Sequence, residues 1–302
     1  MMNSLRCIGF ALMAAAMCAA GPAASQAVRT PQQAVDELLA ADRTFSRASA
    51  AKTVVPGLTP MFSADVVMPA PGGTLARGVA AVVEALNANA DNVTGRVDWT
   101  PIRGGISADG LQGFTFGFMT LHKADGTSSP LKYMTYWIKG AEGWRAAAYK
   151  RARRPDGDVS MDMMPASLPA ALVTPVAVTD ALRQSLVAAE QAFSDAAQQI
   201  GLGPAFAKFG LPDAANFGGA ANANYVIGAD AIAKLVGAGQ PATGSSVSWS
   251  CETPIVASSA DIGVSIGFIR PNAKPSDGST PPPSPFFTIW RKVNGAWKYI
   301  AE

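Results

Sequence analysis

From Val35 the apolar side chains return at helical spacing: Val35, Leu38, Leu39 and Phe45 form one stripe that ends at Ser49. That pattern predicts an amphipathic helix. The stripe comes back at Leu182, Leu186, Ala189 and Phe193. Val79, Val82, Val83 and Leu86 predict a second helix, echoed by Ile232, Leu235 and Val236. The period then drops to two. Phe114, Phe116, Phe118 and Thr120 alternate with Gly113, Thr115, Gly117 and Met119, as in a half-buried strand. Asp125-Gly126 marks a turn, Tyr133, Thr135 and Trp137 share a face, and Gly143 closes a further turn before Trp144–Tyr149. Helices followed by hairpins predict an α+β fold with the helices on one side of a sheet.

The same order occurs twice. Ala41–Ser46 and Ala189–Ser194 lie 148 residues apart, Trp99 and Trp249 150 apart, and the pair Trp137 and Trp144 lies 153 before Trp290 and Trp297. Gly117-Phe118 likewise matches Gly267-Phe268. Ordered matches of so rare a residue as tryptophan predict a duplicated unit. We expect tandem domains at 28–154 and 179–302, joined by a Pro-rich linker or surface strap at 155–178. Residues 271–285 hold six prolines and predict a mobile hairpin loop in the second unit.

Residues 1–27 have the form of a secretory signal: Arg6, an apolar run from Ile8 to Ala20 too short to span a bilayer, a Gly21-Pro22 break, and small residues up to Ala27. The expectation is a periplasmic or secreted protein with no membrane segment after cleavage. Cleavage would leave Cys251 alone, with no partner for a disulfide. The whole chain has a formal net charge of +2, which gives no electrostatic footprint for nucleic acid. One histidine and three cysteines leave little from which to build a metal site, and no cofactor is expected.

The succession Ala64-Asp65-Val66, Pro71-Gly72, Arg77-Gly78, Trp99-Thr100-Pro101, a Gly-Phe strand and Lys132-Tyr133-x-Thr135-x-Trp137 resembles the SnoaL-like, nuclear-transport-factor-two-like superfamily, in an exported branch of unknown function. The resemblance implies two tandem cone-shaped domains, each a curved antiparallel sheet packed on helices around a cavity. Its relatives include ketosteroid isomerases, polyketide cyclases, dehydratases and many members without known activity. Isolated domains of this kind often pair through their sheets, so two copies in one chain imply an intramolecular pseudo-dimer. The branch often carries an acid five residues past the second hairpin tryptophan, where this chain has Tyr149 and then Glu302. In the second unit Phe286 and Pro285 stand where the first has Tyr133 and Lys132, and the Gly/Ala/Asn-rich segment 216–224 has lost Pro71-Gly72. The second unit is therefore expected to be degenerate, a structural partner of the first.

Asp42 has two readings. It is a proton-moving carboxylate facing an apolar cone, with Tyr133 donating to a developing oxyanion, or it is an acid at the edge of the stripe, solvated or capping a loop donor, with Tyr133 a core residue whose hydroxyl reaches the cavity rim. Trp99, Phe116, Phe118, Met134 and Trp137 either line a ligand cavity in the first domain or simply fill its core. His122 reads as an exposed histidine near a turn. Lys150-Arg151-x-Arg153-Arg154 reads as a solvated strand end or as a site for a phosphate or headgroup. Three functions stay open: binding of a small hydrophobic or aromatic ligand in the first cavity, a cofactor-free isomerase, cyclase or dehydratase using Asp42 and Tyr133, and a scaffold that binds proteins through 271–285. Whether the chain is an enzyme is not legible in it.

Overall fold

The computed structural model describes residues 29–273, 279 and 281–302. The expected signal at 1–27 lies outside the described residues, as do 274–278 and 280 of the Pro-rich loop.

The first half runs α1 (Pro31–Ala50), α2 (Val54–Leu58), β1 (Phe62–Ala70), β2 (Thr74–Arg77), α3 (Gly78–Asn87), α4 (Ala90–Thr94), β3 (Arg96–Ile106), β4 (Gln112–His122), β5 (Ser128–Gly140) and β6 (Gly143–Arg153). The second runs α5 (Asp180–Ile200), α6 (Leu202–Phe209), β7 (Gly210–Asn216), β8 (Val226–Ile227), α7 (Ala229–Gly237), β9 (Val247–Val256), β10 (Ile262–Pro271), β11 (Ser284–Val293) and β12 (Ala296–Ala301). A capping box starts α1: Thr30 Oγ1 accepts from Gln33 N at 3.2 Å, and Gln33 Oε1 accepts from Thr30 N at 2.8 Å. Thr179 caps α5, accepting from Leu182 N at 3.3 Å. Among the described residues no helix is long and apolar enough to cross a membrane.

The two sheets have the same strand order, β2-β1-β6-β5-β4-β3 and β8-β7-β12-β11-β10-β9. The expected antiparallel arrangement holds except at one parallel pair in each, β1 with β6 and β7 with β12. The repeated Gly-Phe step has a backbone cause. At Gly117 the β3–β4 register slips past Pro101, and at Gly267 the β9–β10 register slips beside Cys251. A Cβ on Gly117 would run into Thr100 O, and one on Gly267 into Ser250 O. Each glycine thus permits a bulge, and bulges bend a sheet around its helices.

One buried cluster lies between α1–α3 and the first sheet, with Leu38, Leu58, Trp99, Tyr133, Trp137 and Tyr149. Another lies between α5–α7 and the second sheet, with Leu186, Phe193, Trp249, Trp290 and Tyr299. A third joins residues of both sheets: Phe114, Phe116, Phe118, Met134 and Tyr136 meet Tyr225, Val264, Ile266, Phe287 and Ile289. Polar ties cross the same junction. Tyr225 Oη lies 2.9 and 2.8 Å from Gly117 O and Tyr133 O, with its one proton shared between the two carbonyls. Lys132 Nζ donates to the carbonyls of Phe217, Asn222 and Asn224. The connecting segment is a strap: Met164 N and Ser167 N donate to Ile102 O and Gly104 O of β3, at 2.7 and 3.0 Å.

Candidate functional site

The duplication repeats a buried acid together with its donors. In the first half Asp42, on α1, is fully buried. Its Oδ1 accepts from Trp99 Nε1 at 2.5 Å and its Oδ2 from Tyr133 Oη at 2.7 Å. Ser46, one turn on, accepts from Trp99 N at 2.8 Å. In the second half Glu190 takes the same place on α5, with Oε1 accepting from Trp249 Nε1 at 2.6 Å and Oε2 from Trp290 Nε1 at 3.0 Å and from Ser265 Oγ. Ser194 accepts from Trp249 N at 3.0 Å. Helical spacing puts acid and serine on the face turned to the third strand of the unit, which is why both motifs hold the matching tryptophan.

Burial raises the pKa of Asp42 against the bonds from Trp99 and Tyr133, and it pushes Glu190 up to about 7 against those from Ser265, Trp249 and Trp290. Asp42 is therefore not the solvated edge acid of one sequence reading. The structure does bring Asp42 and Tyr133 together, both buried among aromatic rings. Phe45 stacks on Trp137 at 5.8 Å between ring centroids, and Trp99 meets Tyr133 edge-on at 6.1 Å. Tyr133→Phe would leave one oxygen of a buried carboxyl without its donor. It is expected to cost about 1–3 kcal/mol in urea denaturation.

A cavity lies in the other half. A space of about 540 Å³ opens between α5–α7 and the second sheet, walled by Phe193, Phe206, Trp249, Ile269 and Phe286. Glu190, Glu302 and Lys150 also line it. This space belongs to the second unit, which the sequence casts as a structural partner of the first. Three exchanges distinguish the two halves here. Tyr149, Tyr133 and Met119 are buried in the first cone, whereas Glu302, Phe286 and Ile269 stand at the matching positions and line the second cavity. Tyr133 is anchored through its hydroxyl, and Phe286 has none.

None of Asp42, Tyr133, Trp99, Phe116, Phe118, Met134 and Trp137 lines this cavity, or the groove of about 660 Å³ at the surface between the β5–β6 turn and β9. The five residues expected to line one pocket sit on opposite faces of a sheet. Cross-strand register pairs Phe116 with Met134 and Phe118 with Lys132, on the face toward the second half. Trp137 pairs with Gly113 and, with Trp99, faces α1. Period two allows no common pocket for the two sets.

Lys150 and Glu302 complete the wall. Lys150 comes from β6 of the first half, donates to Phe287 O at 3.3 Å, and lies 4.7 Å from the ring centroids of both Phe217 and Phe287. Glu302 accepts from Asn216 Nδ2. Burial lowers the lysine's pKa and raises that of Glu302, each opposed by the other's charge. The basic run at 150–154 is therefore no uniform solvated strand end. Arg151 donates to Asn92 Oδ1 at 2.7 Å, and Arg154 donates to the carbonyls of Pro155 and Gly157 at 3.1 Å. His122 is half exposed, as expected, and bonds to Asp98. Cys251, on the face of Trp249 by period, is only partly buried.

No family model matches the chain, and no curated protein matches it. Solved structures similar to it include a ketosteroid isomerase-like protein from Erwinia carotovora atroseptica, 21% identical, covering 40% of this chain and 94% of that one, with a TM-score of 0.30. An NTF2-like protein with a cystatin-like fold from Novosphingobium aromaticivorans is 15% identical, covers 39% and 80%, and has a TM-score of 0.30. An NTF2-like protein of unknown function from Pseudomonas putida is 12% identical, covers 41% and 89%, and has a TM-score of 0.34. Each is matched over most of its length by about two-fifths of this chain. Identities and scores of this size say nothing of chemistry.

Proposed function

We propose that this chain binds a small, largely apolar molecule in the cavity of its second half. The supporting observation is that cavity. Its volume of about 540 Å³ suits a small ligand, its wall is mainly aromatic and aliphatic, and its few polar groups come together. Nile red titrated into the full chain should reach saturation at one site. Val236→Trp, at a half-buried wall position on α7, should abolish that binding and leave the unfolding midpoint nearly unchanged. Non-saturable uptake, unaffected by the tryptophan, would reject the reading.

Glu190 favours a second reading, cofactor-free proton transfer. A carboxyl with a pKa of about 7 beside a cavity exchanges protons readily near neutral pH. This moves the isomerase, cyclase or dehydratase chemistry expected of Asp42 and Tyr133 to the other half. Loss of turnover of a bound ketone in Glu190→Gln, with binding retained, would support it. Export stays part of the proposal on the strength of residues 1–27. A mature chain beginning at Val28, found by N-terminal sequencing of a periplasmic fraction, would bear it out, and an intact Met1 would refute it.

A further inference from the structure

We infer that the ligand of this cavity is an apolar carboxylate whose charged end is held by Lys150, a residue of the first half reaching into the second. This rests on the cavity reading above and narrows it to a chemical class.

The polar groups at the wall are not equally engaged. Glu190 has both oxygens taken by Trp249, Trp290 and Ser265, and Glu302 accepts from Asn216. Lys150 has three N–H donors and spends one of them on a single long bond, 3.3 Å to Phe287 O. The rings of Phe217 and Phe287 flank its ammonium, and among the described residues it forms no ion pair. An ammonium so placed has lost water and gained one long hydrogen bond, two ring faces and the nearby charge of Glu302, with two N–H donors still unused among the described residues. A carboxylate brought in by a ligand would supply the missing acceptor where charges are weakly screened. The rest of the wall, with Phe193, Phe206, Trp249 and Phe286, suits a flat or branched hydrocarbon body. Depression of the lysine's pKa by burial fits the same picture, since a bound anion would relieve it.

The test compares 2-naphthoate with the neutral 2-naphthalenemethanol on the full chain by titration calorimetry. Naphthoate should bind about tenfold or more tightly, the usual worth of a charged hydrogen bond. Lys150→Met should remove that preference and leave the alcohol's affinity within about twofold. Glu302→Gln, which removes the acid competing for the lysine's field, should tighten naphthoate several-fold and not the alcohol. It serves as the deciding variant if Lys150→Met does not fold. Equal affinity for the two probes, or a naphthoate preference unchanged in these variants, overturns the inference while the cavity reading stands. Binding of neither probe overturns both.

Discussion

Arg291→Met is expected to lower the stability of the chain by about 3–5 kcal/mol, the range for one partner removed from a buried ion pair. Arg291 lies on β11 with its side chain almost wholly buried. Its Nε donates to Ser167 Oγ at 2.7 Å, its Nη1 to Asp261 Oδ2 at 2.9 Å, and its Nη2 to Ile106 O and Ser167 O at 2.8 and 3.1 Å. These acceptors belong to the second half, the first half and the strap, so one guanidinium joins all three. Without it Asp261 keeps its bonds from Ala108 N and Ser259 Oγ but loses its counter-charge. Lysine should not restore the loss, because a single ammonium cannot match the forked geometry. The exposed pair Arg183–Asp180 is the control, and its removal should cost less than about 1 kcal/mol. Guanidinium denaturation measures both, and a shift at Arg291 as small as the control's would refute the account.

The second large effect is on stability against pH. Glu190 titrates near 4.5 when unfolded and near 7 when folded, since burial favours its neutral form. Below pH 4.5 it is protonated in both states and costs nothing. Between 4.5 and 7 the unfolded chain gives up the proton first, so stability falls, by about 3 kcal/mol for a shift of this size. Above 7 this contribution is flat. Asp42, raised by burial in the same way, adds a loss of the same sign. Glu37 and Asp109, whose pKa values are lowered, work in the opposite direction at lower pH. In Glu190→Gln the decline between pH 4.5 and 7 should be shallower by about 3 kcal/mol, whatever constant cost the amide brings. Parallel curves for the two proteins would mean that Glu190 is ionised without penalty.

The duplication could be read from the sequence because tryptophan is rare and both units need it at matched places. Trp99 and Trp249 each donate to the acid of the first helix, so neither could drift without leaving a buried carboxyl unpaired. The sheet was legible for a similar reason, since period two and the turn glycines are local signals. The identity of the hollow half was not. It depends on whether Tyr149 and Tyr133 or Glu302 and Phe286 point into the same space, a question of volume that no spacing records. The sequence did single out Glu302, at the place where an acid is common in the branch it resembles. It read Lys150 only among its basic neighbours, because the two faces of β6 lead to different halves and the pattern along one strand does not say which face meets a partner. The same limit hides that Phe116, Phe118 and Met134 face the second half while Trp99 and Trp137 face α1.

The crossing of Lys150 from one half to the other has a bearing on how such a protein can change over generations. In a pair of identical chains related by a twofold axis, every substitution is made twice, and both halves must tolerate it. Covalent fusion lifts that obligation. One copy could then settle into a rigid buttress and lend a single charge to its neighbour, leaving the neighbour free to hollow out, and the specificity of the hollow can be altered from a strand outside its own shell.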